Sequence, residues 1–445
     1  MSVISGSPQQ LRRANLAAVL DFAWDAGPFT ATDAIDATGL TRTTVLGLCD
    51  DLVGLGWLRE LSPERLPGDR AKGRPARRYA FDRRAGHVVG VDAGQHRVTA
   101  SVADLAGTVL ARSTRVLEPT GEAPRARLDG ARLDGVRGAV DDALDEAGAH
   151  AGSVLVTVVG VPAPTDELGR PPASPDGFWA RMNPGIVGAL DRPGHRVVVD
   201  NDANLAAIAE GAVGAGVGTR SFVTLLSGER FGAGLMVDGV LLRGRHGGAG
   251  ELHVLDLVDG VGSASGLAAT VRQWLTEERG LARLRGRLPA EPEFADVAAA
   301  ALAGDRDAQR VVDRLGDRLA RVCAVLGGLL DVERVIVGGA VAASAGPVLE
   351  RTTASLAAYM HLPVPEVVAS TLGADGVHLG AVRSALALVR ADPLAVTLPA
   401  GRGDGPSEPE RPAPERHAPE RLAGQVTGAD APARSREGSP ATAPG

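Results

Sequence analysis

Residues 41–58 read Thr41-Arg42-Thr43-Thr44-Val45-Leu46-Gly47-Leu48-Cys49-Asp50-Asp51-Leu52-Val53-Gly54-Leu55-Gly56-Trp57-Leu58. Thr41 is suited to an N-cap because its hydroxyl accepts a hydrogen bond from a free backbone N–H group. Apolar residues then recur at helical spacing and form one stripe, which comprises Val45, Leu48, Leu52 and Leu55. The stretch therefore predicts a helix whose outer face, near its N-terminus, carries Arg42, Thr43, Thr44 and Gly47.

Two further helices are predicted before this one. Apolar residues from Leu11 to Ala23 recur at helical spacing, and Gly27-Pro28 ends that helix. A short helix follows Thr30 and Thr32 and ends at Gly39. After the third helix, residues 57–61 and 79–81 predict two paired strands, with residues 62–78 as the wing between them. Residues 1–84 are therefore predicted to form a winged helix-turn-helix domain.

The wing is basic. Between residues 65 and 84 there are eight Arg or Lys residues and two acidic residues. Such a segment binds phosphates with release of counterions, and recognition helices present their N-terminal residues to base edges. The predicted DNA-binding residues are Arg42, Thr43, Thr44, Lys72, Arg74 and Arg77. The alternative is a small helical dimerisation module with a solvated linker.

Composition limits the function classes. A chain of 445 residues should hold two or three domains, and its net charge of −7 means that any DNA contact must come from the local basic patch. Two cysteines exclude a disulfide scaffold and favour a reducing, cytoplasmic location. There is no apolar run long enough to span a membrane and no signal-peptide pattern, so we expect no membrane association.

The end of the chain differs in composition from the rest. From residue 396 to residue 445, Pro, Gly, Glu, Arg, Ala and Ser replace the periodic apolar residues, and Pro-Glu-Arg recurs three times. Such a segment buries too little apolar surface to offset its chain entropy. It is predicted to be a disordered tail.

Residues 85–395 contain an internal repeat. A buried strand at residues 87–94 is followed by a returning strand, a tight turn and a third strand. The same order recurs from Ser221, with the hairpin signal Asp238-Gly239 before the last strand. Two such units with helices between them predict two α/β lobes around a cleft.

The chain resembles the ROK family (repressors, open reading frames and kinases), in the branch with an N-terminal winged helix. The motifs that carry the resemblance are Thr41-Arg42-Thr43-Thr44-Val45, Gly73-Arg74-Pro75, Val91-Asp92-Ala93-Gly94, Val161-Pro162-Ala163-Pro164, Asn201-Asp202-Ala203-Asn204, the turn from Gly228 to Gly234, Gly247-Gly248-Ala249-Gly250-Glu251 and Val337-Gly338-Gly339. This resemblance implies a two-lobed actin-like ATPase fold (sugar kinase/Hsp70/actin, ribonuclease H-like) with a sugar in the cleft.

The resemblance also implies a sugar site. Asp202 matches the carboxylate that takes the proton from the attacking sugar hydroxyl in kinases of this fold. Asn201 and Glu251 match positions that hydrogen-bond sugar hydroxyls. Asn201 and Asp202 also fit a helix N-cap, and the two roles are compatible.

The nucleotide and metal positions depart from the family pattern. Possible nucleotide contacts are Asp92, Gly94, Gly232, Gly338 and Gly339, but the first hairpin lacks one Gly and the Thr of the kinase motif. In the second hairpin Glu229, Arg230 and Phe231 replace small residues. The segment from Glu251 to Gly266 has no Cys and holds His253 out of register with the family His. We therefore expect no zinc and no cofactor, and we do not expect ATP binding.

Two functions remain open at the sequence level. The favoured one is a homodimeric transcriptional regulator of carbohydrate metabolism, a repressor, that binds operator DNA and responds to a sugar or sugar derivative in the kinase-like domain. The alternative is an ATP-dependent sugar kinase of the ROK family, in which Asp202 is the catalytic base.

Overall fold

A computed structural model describes residues 7–62, 76–117, 125–174, 177–361 and 363–399. Residues 400–445 of the predicted tail and the wing residues Lys72 and Arg74 lie outside these ranges. The predicted start of the tail at residue 396 is wrong, because Val396 and Leu398 are partly buried against the apolar cluster of the N-terminal part of the chain. The N-terminal part, which we call the head, contains α1 (Pro8–Asp25), β1 (Phe29–Thr30), α2 (Ala31–Thr38), α3 (Arg42–Gly54), β2 (Leu58–Leu61) and β3 (Arg78–Phe81). Its sheet is antiparallel in the order β1-β3-β2. The strand β1 was not predicted.

Local capping fixes the helix boundaries of the head. The Thr30 side chain and Asp33 form a capping box that begins α2, and Gly39 ends it with φ +70° in the left-handed region. Thr41 caps α3, as predicted. The predicted stripe on α3 is wrong at one end: Leu55, just beyond the last turn, is 50% exposed, and Cys49 is buried in its place.

The first lobe is built on a five-stranded sheet. Its elements are β4 (His87–Ala93), β5 (Arg97–Asp104), β6 (Val109–Val116), α4 (Arg125–Glu146), β7 (Val154–Val161), α5 (Phe178–Met182), α6 (Ile186–Leu190), β8 (Arg196–Asn201) and α7 (Asp202–Val213). The strand order is β6-β5-β4-β7-β8. The pairs β6-β5 and β5-β4 are antiparallel, whereas β4, β7 and β8 run parallel.

The second lobe repeats this arrangement. Its elements are β9 (Phe222–Ser227), β10 (Phe231–Val237), β11 (Val240–Leu242), α8 (Leu267–Glu277), α9 (Ala282–Arg285), α10 (Phe294–Leu302), α11 (Arg306–Leu330), β12 (Arg334–Gly338), α12 (Gly346–Leu356), β13 (Glu366–Ala369) and α13 (Gly376–Ala391). The order β11-β10-β9-β12-β13 has the same sequence of antiparallel and parallel pairs. The predicted internal repeat is therefore confirmed, and this topology is the one expected of the actin-like fold.

Two helices lie between the sheets. Helix α13 packs on β4 and β7, α7 packs on β9 and β10, and the two helices pack on each other. A Cβ atom on Gly380 would lie 1.8 Å from the Leu205 carbonyl oxygen, and one on Gly90 would lie 2.4 Å from the His378 carbonyl oxygen. Glycine is therefore required where α13 crosses its neighbours, because backbone atoms cannot move aside cheaply.

The head is joined to the end of α13. The Arg390 guanidinium donates to the Asp21 carboxylate at 2.8 Å and to the Asp25 carboxylate at 2.6 Å, so it ties α13 to α1. Arg13 of α1 also donates to Asp392 at 2.8 Å. Buried residues of the head and of α13 belong to one continuous apolar cluster. In the described ranges, no helix is both long enough and apolar enough to cross a membrane.

The first prediction tests the contact between α13 and α7. Gly380→Ala should destabilise the protein by about 2 to 4 kcal/mol, because the new methyl group meets a backbone carbonyl. Gly130→Ala in α4 is the matched control: its Cβ would meet nothing within 4 Å, so alanine should stabilise that helix by up to about 1 kcal/mol. Urea unfolding measures both, and equal effects of the two substitutions would contradict the packing argument.

Candidate functional site

Three carboxylic acids meet at the cleft. Asp92 lies near the end of β4, Asp202 is the first residue of α7, and Glu251 follows β11. Glu251 pairs through its backbone with Gly232 of β10, and a Cβ atom on Gly232 would lie 4.0 Å from Asp202 Oδ1. The structure thus brings together two of the predicted sugar contacts and two of the predicted nucleotide contacts.

The protein strongly changes the acidity of these groups. Withdrawal from bulk water raises the pKa of Asp202 to about 8, and the nearby charges of Asp92 and Glu251 add to the effect. Burial also raises the pKa of Asp92 to about 6, against the opposing influence of Arg97 and Arg132. The pKa of Glu251 is raised by burial and lowered in part by the positive charges of His253 and Arg230. At neutral pH Asp202 is therefore mostly protonated.

Asn201 serves as the N-cap of α7. Its side-chain oxygen accepts from Asn204 N at 3.1 Å, and its side-chain nitrogen donates to the Ala163 carbonyl at 3.3 Å. The capping role considered from the sequence is therefore confirmed. Asn201 also fixes the direction from which Asp202 enters the cleft, and its contact with a sugar stays a prediction.

The glycines before Glu251 are required by backbone approach. A Cβ on Gly250, at φ +90°, would lie 1.8 Å from the Ala233 carbonyl oxygen. A Cβ on Gly247, at φ +71°, would lie 1.8 Å from the Thr165 carbonyl oxygen. This Gly-rich segment therefore lies directly against both β10 and the loop after β7, and it sets the position of Glu251.

Asp200 is a site residue that the sequence analysis missed. It is buried at the end of β8 and accepts from Arg243 Nη1 at 2.6 Å, while the Asn201 backbone N–H also donates to it at 2.8 Å. The ion pair links the first lobe to the start of the Gly-rich segment. No local pattern indicates a pair 43 residues apart, although an acidic residue at the end of an apolar strand is a weak signal.

The side chains of the second hairpin turn have different surroundings. Phe231 is buried in the second lobe, where the Arg318 guanidinium lies 5.2 Å from the centre of its ring. Glu229 is ion-paired with Arg272. Gly339 has φ +86° and lies beside the backbone of Ser227, so the Gly338-Gly339 turn is tight. Binding of ATP stays untested.

The segment that follows Glu251 does not fit a zinc ion. In the described part of the chain, no group of three or more His, Cys, Asp or Glu side chains is arranged to hold a metal. Arg318 of α11 donates to the carbonyl oxygens of Val261, Ser263 and Ser265 at 2.7–3.0 Å. A buried guanidinium therefore holds this segment with donors, whereas a zinc site would need lone pairs from thiolates or imidazoles.

The head presents a second candidate surface. Arg42 and Thr43 are exposed at the start of α3, Thr44 is half-buried, and none of the ion pairs among the described residues includes Arg42. A shallow groove beside them is lined by Pro8, Leu11, Arg12, Asn15, Thr43, Thr44, Gly47 and Leu48. Arg77 is differently placed: it pairs with Asp50 of α3 at 2.7 Å and with Glu60 of β2 at 2.6 Å. Arg77 thus ties β3 to α3, and its contact with DNA stays a prediction.

A second prediction follows from the raised pKa of Asp202. In the unfolded chain this carboxyl group has a pKa of about 4. Folding therefore favours its protonated form, and the free energy of unfolding falls as the pH rises from about 4 toward 8. Asp202→Asn should therefore stabilise the protein by a few kcal/mol at pH 8.5, at about 1.4 kcal/mol per pKa unit, and by much less at pH 5.

Urea unfolding at the two pH values measures this difference. Asp134→Asn is the control, because that side chain is 77% exposed and its substitution should change stability by less than about 0.5 kcal/mol at both values. A stabilisation by Asp202→Asn that is equal at pH 5 and pH 8.5 would show that the carboxyl is not withdrawn from water.

Comparisons with known proteins agree with this fold. A glucokinase from Halalkalibacterium halodurans is 32% identical over 207 residues, 41% of this chain and 62% of the enzyme, so the match spans less than two thirds of that relative. The DNA-binding transcriptional dual regulator NagC of Escherichia coli is 23% identical over 348 residues, 75% of this chain and 82% of that protein.

A solved structure and a family model extend the comparison. The crystal structure of a ROK family transcriptional regulator, a homologue of the E. coli MLC protein, superimposes with a TM-score of 0.64 at 20% identity, over 87% of this chain and 99% of that one. Residues 88–391 match the model of the ROK family. The chain therefore belongs to the ROK family.

Proposed function

We propose that this protein is a sequence-specific DNA-binding transcriptional regulator, a repressor of genes for carbohydrate metabolism, whose kinase-like body binds a sugar-like effector. The observation that carries the proposal is the head: α2, the Gly39 turn and α3 are followed by the β2-β3 pair, and Arg42 and Thr43 are exposed at the start of α3. This order of elements is the one expected of a winged helix-turn-helix, in which the second helix enters the major groove.

The relatives support this assignment. NagC is named as a DNA-binding transcriptional regulator, and its match covers 75% of this chain. The resemblance to a glucokinase lies within the same family and supports carbohydrate recognition by the body. The combination of a DNA-binding head with a sugar-binding body is that of a one-component sensor.

The cleft supports a sugar-like effector. Asp202 and Glu251 are close enough to affect each other's charge, and each offers a carboxyl group to ligand hydroxyls. The Gly-rich segment holds Glu251 against β10. Fixed polar groups on a rigid wall are what recognition of a sugar ring needs.

We further propose that the protein acts as a homodimer in the cytoplasm. A single recognition helix covers one half-site, and two half-sites one helical turn apart require two heads related by two-fold symmetry. The body supplies a route by which the effector acts on this pair. Asp202 opens α7, α7 packs on α13 at Gly380, and α13 ends at the ion pairs with α1.

The third prediction concerns DNA recognition. On an operator selected from a randomised duplex pool, Arg42→Ala should lose about 1 to 3 kcal/mol of discrimination between the operator and unrelated DNA. Arg74→Ala should weaken binding more evenly across sequences, as expected of a wing residue. Arg310→Ala, an exposed arginine of α11, is the control and should leave binding unchanged. If Arg42→Ala still distinguishes the operator from unrelated DNA as well as wild type does, the winged-helix assignment is contradicted.

The fourth prediction concerns coupling. A typical allosteric coupling changes operator affinity by about 5- to 150-fold, and Arg390→Ala should reduce this factor toward one while leaving the affinity for the sugar unchanged. Fluorescence anisotropy with and without sugar measures it. Arg383→Ala, an exposed arginine on the same helix, is the control. Normal coupling in Arg390→Ala would show that the effect travels by another route.

The effector site is tested by adding neutral sugars and sugar phosphates to complexes of operator DNA with wild type and with Glu251→Ala. A ligand that releases the DNA from wild type but not from Glu251→Ala supports the proposal. A ligand that acts equally on both proteins shows that Glu251 is not in the effector site.

A second candidate function is an ATP-dependent sugar kinase, and the position of Asp202 at the start of α7 favours it. Sugar-dependent release of ADP that Asp202→Asn abolishes would make phosphoryl transfer the function of this site.

A further inference from the structure

One side chain of the second hairpin turn has no carboxylate partner among the described residues. Glu229 is paired with Arg272, and Phe231 is buried in the second lobe. Arg230 lies between them, is exposed, and is in none of the ion pairs among the described residues. A guanidinium group without a carboxylate partner is able to bind an external oxyanion through charge-assisted hydrogen bonds.

The contacts of Arg230 place it at the cleft. Its Nη2 atom donates to His253 Nδ1 at 3.0 Å, and the His253 ring meets the Trp179 ring edge-to-face with 6.1 Å between ring centres. His253 belongs to the second lobe, whereas Trp179 lies on α5 of the first lobe. The three side chains therefore form a chain of contacts from one lobe to the other.

This chain of contacts lies beside the carboxyl groups of the sugar site. Arg230 and His253 both act electrostatically on Glu251, and Glu251 pairs with Gly232 two residues along the strand from Arg230. The cleft thus has carboxyl groups at Asp92, Asp202 and Glu251, and the guanidinium group of Arg230 with its His253 partner lies beside them. A ligand that satisfies both parts carries hydroxyl groups at one end and an anionic group at the other.

We propose that Arg230 and His253 form an oxyanion subsite of the cleft, so that the ligand of this protein is an anionic sugar, a hydroxylated ring that bears a phosphate or carboxylate group. The inference rests on the proposed function, because it takes the cleft to be a carbohydrate site. The guanidinium of Arg230 has five N–H donors in a planar fork, so it binds an oxyanion in bidentate fashion while still donating to His253. Trp179 offers an aromatic edge or face to the ring.

The test compares neutral and anionic forms of the same sugars. Isothermal titration calorimetry is run on the full chain with glucose, mannose and galactose, with their 6-phosphates and uronates, with inorganic phosphate, and with a non-hydrolysable ATP analogue. The variants are Arg230→Ala, Arg230→Lys and, as the matched loss of charge on the same lobe, Arg310→Ala.

For at least one sugar, an anionic form should bind wild type and Arg310→Ala at least about tenfold more tightly than the neutral form. Arg230→Ala should reduce this ratio to within about threefold, and Arg230→Lys should retain part of it. Inorganic phosphate should compete with the anionic sugar for wild type. It should compete only weakly, or not at all, for Arg230→Ala. The 6-phosphates and the uronates separate the two sources of the oxyanion.

Four outcomes would overturn the proposal. The oxyanion subsite is contradicted if neutral sugars bind as tightly as their anionic forms, or if Arg230→Ala leaves the ratio of the two affinities unchanged. Neither result contradicts the sugar site. Binding of the ATP analogue that depends on Arg230 would assign the phosphate to a nucleotide. Failure of every sugar, neutral or anionic, to bind would overturn the proposed function as well.

Discussion

The close approach of α13 to α7 and β4 is the constraint on which the other features depend. Backbone atoms meet where α13 crosses these elements, and only glycine fits at Gly90 and Gly380. Asp92 lies on β4, two residues after Gly90, and Asp202 begins α7, so the same crossing sets the spacing of the two carboxyl groups. It also fixes α13, whose far end carries Arg390 to the head. Packed backbone of this kind moves as a body and deforms little within itself.

Local signals in the sequence were sufficient for the architecture. Caps at Thr30 and Thr41, the stop at Gly39 and the repeated hairpins all act within a few residues of the chain, and the structure has them where they were predicted. The two-residue strand β1 was missed because its pairing with β3 is a tertiary contact. Leu55 was misplaced because a helical stripe ends with the helix, and the last turn of α3 is at Gly54.

The site could be predicted less completely, because its supports are long-range. Arg132 holds the turn after β4 through the Gly94 carbonyl at 2.9 Å, and Asp200 holds Arg243 across the cleft. Arg318 organises the segment after Glu251 from a helix more than fifty residues further along the chain. The sequence could show that this segment has no cysteine, but it could not show that a buried guanidinium occupies its carbonyl groups. Residues that pair only in the folded chain leave no local pattern in the sequence.

The protonation state of Asp202 bears on which of the two candidate functions the cleft serves. A general base must be ionised before it accepts a proton, and with a pKa of about 8 most of Asp202 is protonated at pH 7. The protonated form is instead a hydrogen-bond donor, and it can hold a sugar hydroxyl without adding a negative charge beside Asp92 and Glu251. Arg230, in the turn where the kinase motif has small residues, adds the opposite charge at the edge of the same cleft. Under the proposed function, the protonation of Asp202 and the positive charge of Arg230 act together. A neutral carboxyl group weakens the repulsion that an anionic ligand would meet, and the guanidinium group attracts that ligand.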